Sequence, residues 1–464
     1  MKVPSALIHS LQNIKGFDKE AFEKVHQSGE QITSIRLNTN KLSGSLNAPA
    51  ILDGLEDADT SLVPWSSNGY YLSARPSFTS DPLFHGGAYY VQEASSMFLE
   101  EVLKQSTDGT QAIKVLDLCA APGGKSTLIQ SIISTKSLLV SNEVIKKRVT
   151  VLTENITKWG ASNVIVTNND PKDFKRLPGF FDVIVVDAPC SGSGLFRKDL
   201  NAINEWSEQN VELCSQRQQR ILADILPALK EGGILIYSTC SYSAEEDEEI
   251  CGWLIKNHQL STIRFQLKSE WNIIETTSSE TNAFGYRFYP DKLKGEGFFI
   301  AAFKKRDAEN ADRQEGKAKG RPERLTPKEI EVVKRWLKNG DDFFFIKQHE
   351  DVIAIPIHLE KYLADIQSAL YIKKAGVKLG AIIRNELIPA HELALSTIIN
   401  KSIPAIEADK ETALRYLRRQ EIKLDANIKG WSLLTYRQLP LGWIKALPNR
   451  INNYYPKEWR ILNK

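Results

Sequence analysis

Ile113-Lys-Val-Leu-Asp-Leu-Cys-Ala-Ala-Pro-Gly-Gly-Lys-Ser-Thr127 decides the fold: an apolar β-run, a tight turn of small residues, then the start of a helix. Gly123 and Gly124 permit the backbone conformations and close approach that a ligand-cradling turn needs. A phosphate-binding loop requires G-x-x-x-x-G-K-[ST]. Gly124-Lys125-Ser126 supplies its second half, but the first glycine would fall on Cys119. The dinucleotide pattern G-x-G-x-x-G does not occur here either. The turn therefore reads as a nucleoside site.

Outward from the turn, β-like runs recur at Ser137–Val140, Asn163–Thr167, Asp182–Val186, Gly233–Tyr237 and Phe298–Phe303, with helical stretches such as Lys146–Trp159 and Glu205–Leu229 between several of them. Strands alternating with helices imply a parallel, doubly wound α/β sheet, which binds ligands at the carboxyl ends of its strands. Asp117, Glu143 and Asp170 are each expected at such an end. Glu143 stands where an acid would accept from a ribose hydroxyl pair, and Asp170 where a carboxylate would accept from an adenine amino group. Three acids suit a cationic adenosine cofactor better than an anionic pyrophosphate. S-adenosyl-L-methionine is such a cofactor.

Two of the five cysteines leave β-runs. Cys190 follows Asp187-Ala-Pro189, and Cys240 follows Ser238-Thr239. Transfer of a methyl cation to carbon 5 of cytosine requires a nucleophile at carbon 6 first, and a thiolate both attacks and leaves readily. Cys240, Cys190 and Asp187 could supply attack, release and a hold on the pyrimidine edge, with Ser191, Gly192, Ser193 and Gly194 allowing close approach of a base. Cys119, Cys214 and Cys251 read as small buried hydrophobes.

The 464 residues suggest about two to four domains of ordinary globular composition, with 42% hydrophobic and 25% charged residues. No apolar run approaches ~18–20 residues, so no membrane span is expected. The amino terminus turns polar at Gln12 and Asn13, too soon for a secretory signal. An odd number of cysteines without Cys-x-x-Cys spacing fits reduced thiols in the cytoplasm and no metal site. Residues 411–464 carry eleven Lys/Arg against four acids, interleaved with Trp431, Tyr436, Trp443, Tyr454, Tyr455 and Trp459. That mixture suits phosphates and unstacked bases, though a small β-rich domain with an aromatic core has the same composition. Lys304 to Arg324 is polar and reads as a linker, and Thr326–Asn339 as a capped helix behind it.

Asp187-Ala-Pro-Cys-Ser-Gly192, Ser238-Thr-Cys-Ser241, Leu116-Asp-Leu-Cys-Ala-Ala-Pro-Gly-Gly-Lys125, Gly295-Glu-Gly-Phe-Phe299 and Ser34-Ile-Arg-Leu-Asn-Thr-Asn-Lys41 resemble the signatures of the Nop/Sun class of RNA cytosine-C5 methyltransferases. Within that class the chain is most similar to the bacterial 16S ribosomal RNA type, RsmF. The signatures span about residues 34–303, and Gly442-Trp443 to Tyr455-Pro456 resembles that type's carboxyl-terminal module.

The resemblance implies a Rossmann-like doubly wound methyltransferase core with an α+β amino-terminal domain and a PUA-like β-rich end. It divides the chain into an RRM-like RNA-binding part (1–88), the core (89–305), a linker (306–325), an intermediate domain (326–405) and a PUA-like RNA-binding domain (406–464). It implies Cys240 as nucleophile and Cys190 as the releasing group. Cys119, Ala120, Ala121, Pro122, Gly123, Gly124, Lys125, Glu143, Asp170 and Asp187 would line the cofactor site, with Asp187 also near the base. Two departures stand out: Asp247 where the class usually has Asn, and Asp291 after Pro290 where His is common. The partner implied is 16S rRNA or the small ribosomal subunit, met by a monomer without metal. The alternatives are the same chemistry on transfer RNA, and a non-catalytic RNA-binding assembly factor. A DNA-type arrangement would instead make Cys190, in its Pro-Cys dipeptide, the nucleophile.

Overall fold

The computed structural model describes residues 3–42, 46–55, 60–306, 323–424, 429–448 and 450–462. Its centre is a ten-stranded sheet. Seven strands carry the argument: β1 (Lys114–Asp117), β2 (Leu138–Asn142), β3 (Val164–Thr167), β4 (Phe181–Asp187), β5 (Leu229–Thr239), β6 (Phe284–Phe288) and β7 (Phe298–Lys305). They lie in the order β6-β7-β5-β4-β1-β2-β3. The five strands from β1 to β5 run parallel. The sheet is nonetheless mixed, because β7 enters antiparallel to β5 and β6 antiparallel to β7. Residues 260–305 hold three short strands and β7 with no helix longer than a single turn, so they meander antiparallel, as connections too short for a parallel crossover must.

Side chains alternate across the strands into two cores. Leu116, Ile184 and Leu235 face the helices Glu208–Ile225 and Glu248–Asn257, while Val115, Val183, Val185 and Ile236 face Gly124–Ile132 and Lys146–Trp159. The expected helix over 205–229 is split: Leu200–Glu205 ends before Ser207, whose side chain caps Glu208–Ile225. Beyond residues 307–322, which hold most of the expected linker and lie outside the described residues, Thr326 forms a capping box with Glu329 at the start of Pro327–Lys334. The stretch that follows adds Ile346, Ile353, Leu359, Leu363 and Ile366 to the lower core.

The amino-terminal sheet has the order Thr60–Leu62, Gly69–Leu72, Thr33–Leu37, Tyr89–Val91. Its motif Ser34–Lys41 latches it to the core. Buried Arg36 donates to Gln92 Oε1 at 2.8 Å and Thr127 Oγ1 at 2.7 Å and lies over the Trp159 ring. Lys41 Nζ donates to the carbonyls of Gly86 and Lys158, at the carboxyl end of Lys146–Trp159. The carboxyl-terminal unit is β-rich, with Gly430–Tyr436 and Leu439–Leu447 paired antiparallel, but it also contains the helix Lys410–Leu417, capped by Asp409. Leu439 inserts into the amino-terminal core. Among the described residues no helix is long and apolar enough to cross a membrane.

His26 and His85 are buried, and the His391 ring nitrogens are shut off against Tyr455 and Trp459. Burial pulls His26 and His85 down to about 4 and His391 to about 3. They are neutral in the folded protein, whereas the unfolded chain takes up protons near the ordinary value of 6.5. Their stabilisation is therefore complete above that value and is lost as the pH falls through 6 toward 4. Denaturant midpoints measured across this range should fall on acidification, and the slope should flatten in His391→Phe.

Candidate active site

The upper ends of β1, β2 and β4 converge. Gly123, at φ 116°, turns the chain from β1 into the helix Gly124–Ile132, in a region that disfavours any side chain. The helix Lys146–Trp159 steadies that turn: Arg148 Nη2 donates to the Ala121 carbonyl at 2.5 Å and Asn155 Nδ2 to that of Pro122 at 2.8 Å. Asp117 is fully buried. Its Oδ2 accepts from Ser126 Oγ at 2.6 Å, and its Oδ1 has no hydrogen-bond partner. Burial, reinforced by Asp187 and Glu143, lifts its carboxyl to about 7.

Glu143 follows β2 and is 2% exposed. Its Oε1 accepts from the Ile145 amide at 2.8 Å; its Oε2 faces Arg148 at 3.2 Å but receives no hydrogen bond. Two buried carboxylate oxygens without donors, on adjacent strands, fit a ligand that brings hydroxyls. Asp170 lies three residues beyond the end of β3, not at it. There it caps the turn Pro171–Arg176 and accepts from the Lys172 amide at 3.1 Å.

On the neighbouring strands the two thiols meet. Asp187 and Ser238 are opposite each other in the β4–β5 ladder, so the loops after them leave side by side. The Cys190 and Cys240 sulfurs are 2.9 Å apart. The hydrogen bond to Cys240, and then burial, holds the Cys190 thiol well above its ordinary range. Asp187 accepts from Ser238 Oγ at 2.8 Å and pairs with Lys125 Nζ at 2.7 Å. Burial works against the Lys125 charge, but Asp187 and Asp117 outweigh it and raise the ammonium above its usual value. Burial pushes the Cys119 thiol up as well, and Cys214 and Cys251 are buried on the helices Glu208–Ile225 and Glu248–Asn257.

Sequence reasoning passed over Glu246. This fully buried carboxylate accepts from the Ser191 amide at 2.8 Å, Ser191 Oγ at 2.5 Å, Ser241 Oγ at 2.6 Å and Gln218 Nε2 at 3.1 Å. Ser191 and Ser241 each follow one of the two cysteines, so one side chain fixes both thiol loops. The acidic run 245–248 just past a strand exit was the available signal. Gly194 completes the packing: its amide donates to the Cys240 carbonyl at 2.8 Å, and a Cβ there would meet Gly297 backbone at 2.4 Å. Asp247 is buried, accepts from Thr239 Oγ1 at 2.6 Å and lies 3.2 Å from Arg287, which donates to Glu248; burial holds the Asp247 carboxyl well above its ordinary range. Asp291 is nearly buried, and neither of its carboxylate oxygens has a hydrogen-bond partner.

Residues 102–304 match the family described as 16S rRNA methyltransferase RsmB/F, 3–94 the N-terminal domain of 16S rRNA methyltransferase RsmF, and 403–461 the methyltransferase RsmF PUA domain. A ribosomal RNA small subunit methyltransferase F from Psychromonas ingrahamii is 33% identical over 85% of this chain and 84% of its own length.

The chain belongs to this methyltransferase family. Its cofactor is S-adenosyl-L-methionine. The family relative from Vibrio parahaemolyticus is 29% identical over 98% of this chain and 97% of its own. A solved methyltransferase homolog from Pyrococcus horikoshii is 28% identical with a TM-score of 0.52, covering 65% of this chain and all of that one.

Truncating Glu246 leaves four buried donors without their acceptor. Glu246→Ala should cost about 2–4 kcal/mol in denaturant unfolding and about a hundredfold in turnover. Calorimetric affinity for the cofactor should survive, since Asp117 and Glu143 lie on other strands.

Proposed function

We propose that this chain forms 5-methylcytosine in 16S ribosomal RNA through a covalent Cys240 adduct. The observation that carries the reading is the pair of strand-exit thiols 2.9 Å apart beside the Lys125–Asp187 pair. In this reading the Cys240 thiolate adds to carbon 6 of cytosine, and the electron pair of the 5,6 double bond moves to carbon 5. Asp187 receives the exocyclic amino edge of the base. Residues 119–125, Glu143 and Asp170 would hold S-adenosyl-L-methionine, which when bound would supply an electrophilic methyl group for that carbon. Loss of the carbon 5 proton to water then restores the double bond and expels the Cys240 sulfur as thiolate. The Cys190 thiol, in hydrogen-bond contact with Cys240, donates to the departing sulfur and so speeds release.

The domain division belongs to the same proposal. The RRM-like part (1–88) and the PUA-like part (406–464) bind RNA, with the intermediate domain (326–405) between the linker and the end. The four-strand order of the amino-terminal sheet and exposed Arg415, Lys423, Arg450, Lys457 and Arg460 support it. The protein would act in the cytoplasm as a monomer.

Nucleoside mass spectrometry of small-subunit RNA treated with the protein and cofactor should show new 5-methylcytidine; product only in transfer RNA would contradict the substrate. Cys240→Ala should give neither product nor adduct. Cys190→Ala should accumulate a cofactor-dependent, denaturant-resistant protein–RNA band. Both variants should fold, at a cost of about 1–2 kcal/mol. Trapping by Cys240→Ala and not by Cys190→Ala would reverse the roles.

Glu143→Ala should weaken calorimetric binding of the cofactor by ~1–3 kcal/mol, the loss of a charge-assisted hydrogen bond. Unchanged affinity would remove Glu143 from the ribose site.

A further inference from the structure

The matched family stretches stop at 304 and resume at 403, yet a segment between them reaches the rim of the cofactor site. The strand Ile372–Ala375 pairs antiparallel with the open edge of β3, Ile372 opposite Thr167. This seats the preceding residue, Tyr371, beside the loop that follows β3. Asn169 grips the Tyr371 backbone in both directions: the Tyr371 amide donates to Asn169 Oδ1 at 2.9 Å, and Asn169 Nδ2 donates to the Tyr371 carbonyl at 3.0 Å. The Asn168 amide donates to the same carbonyl at 3.2 Å.

The chain of amides continues inward. Asn168 Nδ2 donates to the carbonyls of Glu143 at 2.6 Å and Val144 at 3.0 Å. Asn142 Nδ2 bridges the carbonyls of Leu118 and Asn169. Tyr371 is thereby tied, through three asparagines, to the loops after β1, β2 and β3; Asp117 ends β1 and Glu143 opens the loop after β2, each with a buried oxygen that receives no hydrogen bond. The Tyr371 backbone is fixed, but its side chain is 62% exposed, as are Val144 at 52% and Ile145 at 49%. Single exposed apolar side chains need no explanation. Three of them on loops whose backbones are joined by these hydrogen bonds, close in the chain to a buried Glu143 oxygen that receives no hydrogen bond, match a flat heteroaromatic ring at the end of a ribose.

We propose that Tyr371 walls the adenine end of the cofactor site, so that cofactor affinity depends on a residue outside the methyltransferase core. The inference rests on the reading of Glu143 as the ribose acceptor. An aromatic side chain contributes here by stacking, which needs the ring and not the hydroxyl. Tyr371 touches the cofactor's nucleobase and leaves the reacting sulfonium to other residues.

Calorimetric titration of the full-length protein with S-adenosylhomocysteine and with adenosine tests this. Tyr371→Ala should weaken both by the same factor, about tenfold, with the melting temperature of the unliganded protein unchanged. Tyr371→Phe should restore both affinities. Steady-state assays should show the loss in KM for the cofactor and not in kcat. If Glu143→Ala loses affinity while Tyr371→Ala does not, the inference fails and the ribose reading stands. If neither variant changes affinity, the ribose reading fails and takes the inference with it. If Tyr371→Ala keeps cofactor affinity but raises KM for RNA, a base of the RNA occupies the rim, and the inference is overturned.

Discussion

Glu246 accepts hydrogen bonds from the residues that follow Cys190 and Cys240, and this shared acceptor is the constraint on which the rest of the site depends. Two loops leaving neighbouring parallel strands have no reason of their own to hold two thiols within 2.9 Å. A buried carboxylate can impose that spacing because each unsatisfied donor in its surroundings would cost about 1–3 kcal/mol. Burial raises the Glu246 carboxyl, and the four donors around it pull the other way. The carboxylate and its donors therefore hold one another in place, and the loops inherit that rigidity.

The same logic orders the turn at 119–125. The helix Lys146–Trp159 works at both of its ends. Arg148 in its first turn holds the carbonyl of Ala121, Asn155 farther along holds that of Pro122, and the Lys158 carbonyl near its end receives Lys41 from the amino-terminal part. Gly160, which ends it, accepts from the Thr397 amide at 2.9 Å. The amino-terminal sheet and the stretch before the carboxyl-terminal unit thus meet at the far end of the helix that steadies the turn at 119–125. Leu439 closes the contact by packing into the amino-terminal core. The appended units are built into the frame of the core by these contacts.

Much of this was legible in the sequence because the informative residues are local. The turn at 119–125 and the cysteines at 190 and 240 each sit within a few residues of an apolar run, and the strand-end rule places ligands there. Lys146–Trp159 was legible in full for the same reason. What escaped depends on distant pairing. Antiparallel β6 and β7 have no helix of their own to announce a crossover. Asp170 was expected at a strand end, but β3 stops at Thr167 and the residue caps the next turn. Glu246 looks like one acid in an acidic run until Ser191, more than fifty residues away in the chain, folds against it. Tyr371 is farther still from the strand it borders.

The central claim is that Cys240 carries the base and Cys190 releases it. RNA in which the target cytosine bears fluorine at carbon 5 tests it on the unaltered protein, because fluorine cannot leave as a proton does and the adduct is arrested after methyl transfer. Digestion followed by tandem mass spectrometry then reads which residue holds the nucleotide. The account predicts the nucleotide, already methylated, on Cys240. Attachment to Cys190 would contradict it.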